Sequence, residues 1–106
     1  TLSEKSIEIE YEDGMLIIIQ QAQKNGVKQA LDFAKSFDEK VIESSDNHYL
    51  IETERQDEKM FNCSYFFETE GGVIEVRVSD EKLFLYAKSE EQARKGMEIA
   101  KTFKFK

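Results

Sequence analysis

Met60-Phe61-Asn62-Cys63-Ser64-Tyr65-Phe66-Phe67 runs to Gly71-Gly72; Val73-Ile74-Glu75-Val76-Arg77-Val78 follows, and after Ser79-Asp80-Glu81-Lys82 comes Leu83-Phe84-Leu85-Tyr86. Apolar residues alternate along each run and Gly or Asp turns separate the runs. That is the pattern of antiparallel hairpins with one wet face. It predicts three strands in succession and so a fold class. It leaves activity open, because no catalytic motif occurs anywhere in the chain.

Upstream, Ser6 to Glu12 sets Ile7, Ile9 and Tyr11 against Glu8, Glu10 and Glu12, and Asp13-Gly14 suits the positive φ angles of a tight hairpin turn. Met15 to Ile19 is apolar on both faces, as an interior strand is. From Val27 the period becomes helical: Val27, Ala30, Leu31, Ala34 and Phe37 share a stripe with Phe33 at its margin, and Asn25 or Gly26 is the cap. Val41-Ile42 reads as a short strand, Asp46-Asn47 as a turn, and His48 to Glu54 as another strand.

Downstream, Ser89-Glu90-Glu91-Gln92 is a capping-box pattern, and its two acids suit the start of a helix. Ala93, Gly96, Met97, Ala100 and Phe103 form that helix's apolar stripe. Phe103 and Phe105 then alternate with Lys104 and Lys106, as in a short closing strand. The expectation is one α+β domain over residues 1–106, in the order β-β-α-β-β-β-β-α. It has an antiparallel sheet of six or seven strands with two helices packed on it, both on one face or one on each.

Fifteen basic against twenty-two acidic residues leave a net charge of −7. Such a surface repels phosphate backbones and anionic lipid, which argues against direct nucleic-acid binding and favours solubility or a basic protein partner. The single cysteine excludes an internal disulfide, and no run reaches transmembrane length. Thr1 in place of an initiator methionine sets the expectation of a processed or trimmed product, exported or membrane-anchored rather than cytoplasmic.

Catalytic and metal chemistry find few residues. His48 is the only histidine, beside the Asp46-Asn47 turn, and reads as an exposed turn residue. Cys63 shares a strand face with Phe61, Tyr65 and Phe67, which reads as a buried structural thiol rather than half of a dyad with His48. One Cys and one His fall short of zinc patterns, and Glu10-Tyr11-Glu12-Asp13-Gly14 lacks the spaced acids of a calcium loop. No cofactor is implied, and no enzyme activity is expected.

Two surface features carry the functional expectation. Glu8, Glu10 and Glu12 line one strand, Glu52, Glu54 and Asp57 lie on or just beyond another, and Glu68 and Glu70 end a third; if those strands are neighbours they form a negative patch for a basic partner. Arg77 and other interspersed cations instead suit an ordinary mixed surface. Phe66, Phe84 and Tyr86 fall opposite the main apolar stripes, so they are core if the second helix covers that side and a binding patch if nothing does.

Gly72-Val73-Ile74-Glu75-Val76-Arg77, then Ser89-Glu90-Glu91-Gln92-Ala93, then Ile99-Ala100-Lys101-Thr102-Phe103-Lys104-Phe105 resembles the tail of PsbP-like domains. There a late hairpin leads to a C-terminal helix that ends in a short Ser/Thr-Phe-Lys-Phe-like segment. The early strand, the Val27–Phe37 helix and the following strands are similar in order, and this chain is shorter than most members. The resemblance implies a non-catalytic domain, often exported or lipid-anchored, that acts through protein contacts. It carries no functional residues onto positions here. The expected function is therefore a protein-binding or accessory domain; the alternative is an acidic inhibitor or immunity-type protein seated on a basic site of an enzyme or nucleic-acid-binding protein.

Overall fold

The computed structural model describes residues 6–105. Six strands form one antiparallel sheet in the order β1-β2-β6-β5-β4-β3. The strands are β1 (Ile7–Glu10), β2 (Met15–Ala22), β3 (Lys40–Ser44), β4 (His48–Arg55), β5 (Glu58–Thr69) and β6 (Gly72–Asp80). Helix α1 (Gly26–Ser36) joins β2 to β3, and α2 (Glu90–Ala100) follows β6. The α+β class and the order of elements are those expected, with six strands. β2 pairs with β6 from Met15↔Asp80 to Ala22↔Val73, which closes the N-terminal hairpin onto the β3–β6 meander.

The period of two sorts side chains between faces. Ile17, Leu50, Phe61, Cys63, Val76 and Val78 point to one side, where α2 contributes Ala93, Met97 and Ala100. Tyr49 and Ile51, the alternate residues of β4, point to the other side and meet Val27 and Ala34 of α1. The helices therefore take one face each. Small residues set how closely they lie. A Cβ at Gly96 would be 2.3 Å from Val78 Cγ1, and one at Gly26 would be 2.6 Å from Phe66 Cε2. Ser89 caps α2 as expected, Gln92 N–H donating to its Oγ at 3.0 Å, while the reciprocal bond falls one residue earlier than in a capping box, Gln92 Oε1 accepting from the Lys88 amide at 2.8 Å.

Leu83 to Tyr86 is not a strand. β6 is interior, with one edge held by β2 and the other by β5, so a returning hairpin strand has no edge to join. The chain instead folds at Asp80, whose carbonyl accepts from the Leu83 and Phe84 amides at 3.0 and 2.9 Å. Phe84 takes a left-handed φ of 62°. Ala87 then rejoins the sheet by exchanging hydrogen bonds of 2.9 and 2.8 Å with Phe61.

Phe103 to Phe105 forms no strand either; Phe105 packs its ring on Phe67 with centroids 5.2 Å apart. Lys106, the last residue of that expected strand, lies outside the described residues. Asp13-Gly14 makes a 3-10 turn rather than a two-residue one, with φ of 64° and 79°, and the Tyr11 amide donates to Met15 O at 2.8 Å. Phe33 and Phe37, the last ring positions of the α1 stripe, are exposed and rest against each other at 4.5 Å.

Candidate functional site: a groove on the α1 face

Alternation along β6 places Glu75 and Arg77 on the α1 side, in the middle of the sheet. Register then fixes their neighbours. Gln20 and Ile18 of β2 stand opposite them on one side, and Phe66 and Ser64 of β5 on the other. Tyr49 of β4 is paired to Ser64. Six polar groups close into one network. Glu75 Oε2 accepts from Ser64 Oγ at 2.7 Å and Arg77 Nη2 at 2.9 Å, while Oε1 accepts from Gln20 Nε2 at 3.1 Å. Arg77 also donates from Nη1 to Asn62 Oδ1 at 2.6 Å and from Nη2 to Tyr49 Oη at 3.2 Å.

Only 14% of the Arg77 side chain reaches solvent. Burial alone pushes its guanidinium down, and Tyr49 and Glu75 more than reverse that, so the net shift is upward and the group stays charged. The Tyr49 hydroxyl is pushed up by burial. Buried charges persist only where partners replace water, and four of the five Arg77 N–H groups have them. Arg77 Nε and the neighbouring Ser79 Oγ are buried without a partner.

This network floors a groove of about 360 Å³, with Gln29 and Phe33 of α1 as one wall. The 81–86 loop is tied to this floor from outside the groove lining: Arg77 Nη1 donates to Leu85 O at 3.0 Å. The loop is anchored at several further points. Asp80 N donates to Tyr86 O at 2.9 Å, Glu81 N donates to Gly14 O at 2.8 Å, and the Arg55 guanidinium sits 5.7 Å above the Tyr86 ring. Asp80 Oδ1 accepts from Gln92 Nε2 of α2 at 2.9 Å. Burial pushes the Asp80 carboxyl up, and the Gln92 and Lys82 hydrogen bonds with nearby lysine charges outweigh it, leaving a net shift downward. The loop presents Phe84 and Leu85, 70% and 57% exposed. The charged groups of the floor are paired to each other, which holds the shape of the groove.

The residues singled out from sequence fall on both sides of the sheet. Glu8 and Glu10 are exposed on β1, opposite Ile18 and Leu16 of β2, on the α1 side. Glu12 is exposed in the 3-10 turn. Glu52 and Glu54 lie on β4 with the parity of Leu50, toward the α2 side, at the edge where β4 runs past β3 and borders a cleft with Phe33 and Phe37 of the α1 end, and β2, β6 and β5 separate them from β1. The two acidic sets therefore do not join into one patch. Phe66 packs beneath α1, 5.9 Å from Tyr49, so the first helix and not the second covers it. Phe84 and Tyr86 belong to the loop, Tyr86 half-buried under Arg55. Glu8 and Glu10 thus share a side with the groove, and the loop that carries Phe84 is tied to that side through Leu85 O.

His48 is not an exposed turn residue. It opens β4, stacks on Tyr65 at 4.7 Å, and places Nε2 2.8 Å from Glu43 Oε2 and Nδ1 2.5 Å from Ser45 Oγ. The His48 and Arg94 hydrogen bonds hold the Glu43 carboxyl below its usual range. Cys63 is buried, with Sγ 3.7 Å from Val78 O and its thiol pushed up to about 12 by burial. Arg77, read as one cation of a mixed surface, is instead the centre of the network. The sequence carries a signal for it: two opposite charges two residues apart in the run Val73–Val78, whose other four residues are apolar.

No protein-family model, curated protein or solved structure matches the chain. Among the described residues, no helix is long and apolar enough to cross a membrane.

Proposed function

We propose that this chain is a non-catalytic protein-binding module whose working surface is the α1 side of the sheet, between α1 and the Phe84–Leu85 loop. One observation carries this reading. Phe84 is 70% exposed and holds a left-handed backbone with φ of 62°. That conformation costs a non-glycine residue about 1–2 kcal/mol. A bulky ring that is both strained and wet gains nothing in the free protein; it gains when a partner covers it. The fixed anchors of the loop reduce the ordering cost of binding.

The resemblance to PsbP-like domains supports the same kind of role, an accessory domain acting through protein contacts and exported or lipid-anchored. An acidic inhibitor using Glu8, Glu10, Glu52 and Glu54 together would have to engage both sides of the sheet at once, so that alternative is not carried further.

The test is capture from an extract of the source organism by the immobilised chain, beside a Phe84→Ser/Leu85→Ser variant. Both positions are exposed, so the variant's stability is expected within about 0.5 kcal/mol of the parent. A partner retained by the parent and lost by the folded variant supports the reading. Identical captured sets from the two chains would sink it.

A further inference from the structure

We infer that the segment received on this surface is a basic amphipathic α-helix, lying over β1 and β2 beside α1. The inference rests on the binding-module reading above and adds the chemistry of the partner.

Space comes first. α1 packs on β4 and β3, and Ile18 and Gln20 of β2 remain half-buried while Glu8 and Glu10 of β1 are exposed. β1, β2 and β6 are consecutive in the sheet. At about 4.8 Å between strands they span about 10 Å, which is the width of one helix with its side chains.

The surface has the two stripes such a helix needs. Ile18 on the sheet and the exposed Phe84 and Leu85 on the loop are apolar. Glu8 and Glu10 border them along the sheet edge. Among the described residues facing this side from β1, β2 and β6, the sole cation is Arg77, and its Nη groups are committed to Glu75, Tyr49, Asn62 and Leu85. Nothing on those three strands therefore opposes a positive partner; the cations nearest the strip are at the loop, where Arg55 sits over Tyr86 and Lys82 follows Glu81, and the net charge of −7 steers a basic segment toward the β1 end. An added extended strand fits less well, since β1 offers only four residues, two of them glutamates.

The probe is a peptide of about four helical turns with leucines at i, i+3, i+4 and i+7 and lysines or arginines elsewhere. Its twin has glutamates in place of the basic residues. Both are titrated into the 15N-labelled chain at low and physiological salt. The same titrations are run on Glu8→Gln/Glu10→Gln and on Glu52→Gln/Glu54→Gln, which makes an equal charge change on the opposite face. The expected result is that the basic peptide shifts amides of β1, β2 and residues 81–86. Glu8→Gln/Glu10→Gln should weaken it about three- to tenfold and flatten its salt dependence, with Glu52→Gln/Glu54→Gln close to the parent.

Equal weakening by both variant pairs would reduce the attraction to net charge and overturn the inference. If the acidic twin shifts the same amides equally well, the face binds helices regardless of charge; the inference falls and the binding-module reading stands. Absence of shifts on this face with either peptide also overturns the inference, while the capture experiment with the Phe84→Ser/Leu85→Ser variant decides the broader reading independently.

Discussion

Arg77 in the middle of the sheet donates to the backbone carbonyl of Leu85 at 3.0 Å, so a side chain rooted in β6 sets the position of the loop that carries Phe84, the most exposed large apolar side chain among the described residues. The same guanidinium binds Asn62 of β5, Tyr49 of β4 and Glu75 of its own strand. The packing of the sheet centre and the placing of the Phe84 loop thus meet in one residue.

Arg77→Met should therefore be costly. It strips Glu75 of its charged partner in a place where only 10% of the side chain reaches water, and such losses run to about 3–5 kcal/mol. Urea unfolding measures the effect. Adding Glu75→Gln removes the stranded charge, so the double variant should recover at least about 1 kcal/mol relative to the sum of the singles. Simple additivity would mean the pair is not coupled as the distances imply.

Gly96→Ala tests the seating of α2 on the sheet. The new methyl would meet Val78 Cγ1 at 2.3 Å, which costs about 1–3 kcal/mol in overpacking against up to about 1 kcal/mol gained in helix propensity. A lower denaturation midpoint is expected, with partial rescue by Val78→Ala in the same chain.

The acid limb of stability should carry the mark of Asp80. Its folded carboxyl is held below the ordinary value, so the contribution is present above the unfolded value of about 4 and is lost as pH falls through the folded one. Urea midpoints measured from about pH 6 to pH 2 should fall, and Asp80→Asn should flatten that fall.

Cys63 acts at the other end of the scale. Its folded pKa of about 12 lies above an unfolded value of about 8.5, so the folded form keeps a proton that the unfolded form gives up. Stability present at neutral pH should decline as pH rises from about 9 toward 12, and Cys63→Ala should lessen the decline. In the native state at neutral pH the thiol should react with a disulfide reagent only as fast as the protein opens.

Much of the fold was legible because burial imposes a period. Ile7 and Ile9 against Glu8 and Glu10 marked β1, and Ser89 with Gln92 marked the start of α2. Leu83 to Tyr86 misled for a physical reason: alternation shows that a segment could pair, but not whether an edge is free, and both edges of β6 are taken. The same blindness hid the separation of Glu8 and Glu10 from Glu52 and Glu54, since face and strand order arise from long-range pairing such as that of β2 with β6. The site was half legible. The pattern marks Phe84 as an aromatic off the main stripe, core or surface according to what covers it, and it does not reveal the burial of Arg77, which depends on Asn62, Tyr49 and Leu85.

The most direct test of the binding-face account is site-specific photo-crosslinking in an extract of the source organism. A photoreactive phenylalanine derivative is placed at Ile18, on the groove side of the sheet, and in a second chain at Glu98, exposed on α2 across the sheet. The account predicts a discrete protein adduct from position 18 and none from position 98. An adduct from position 98 alone would contradict it.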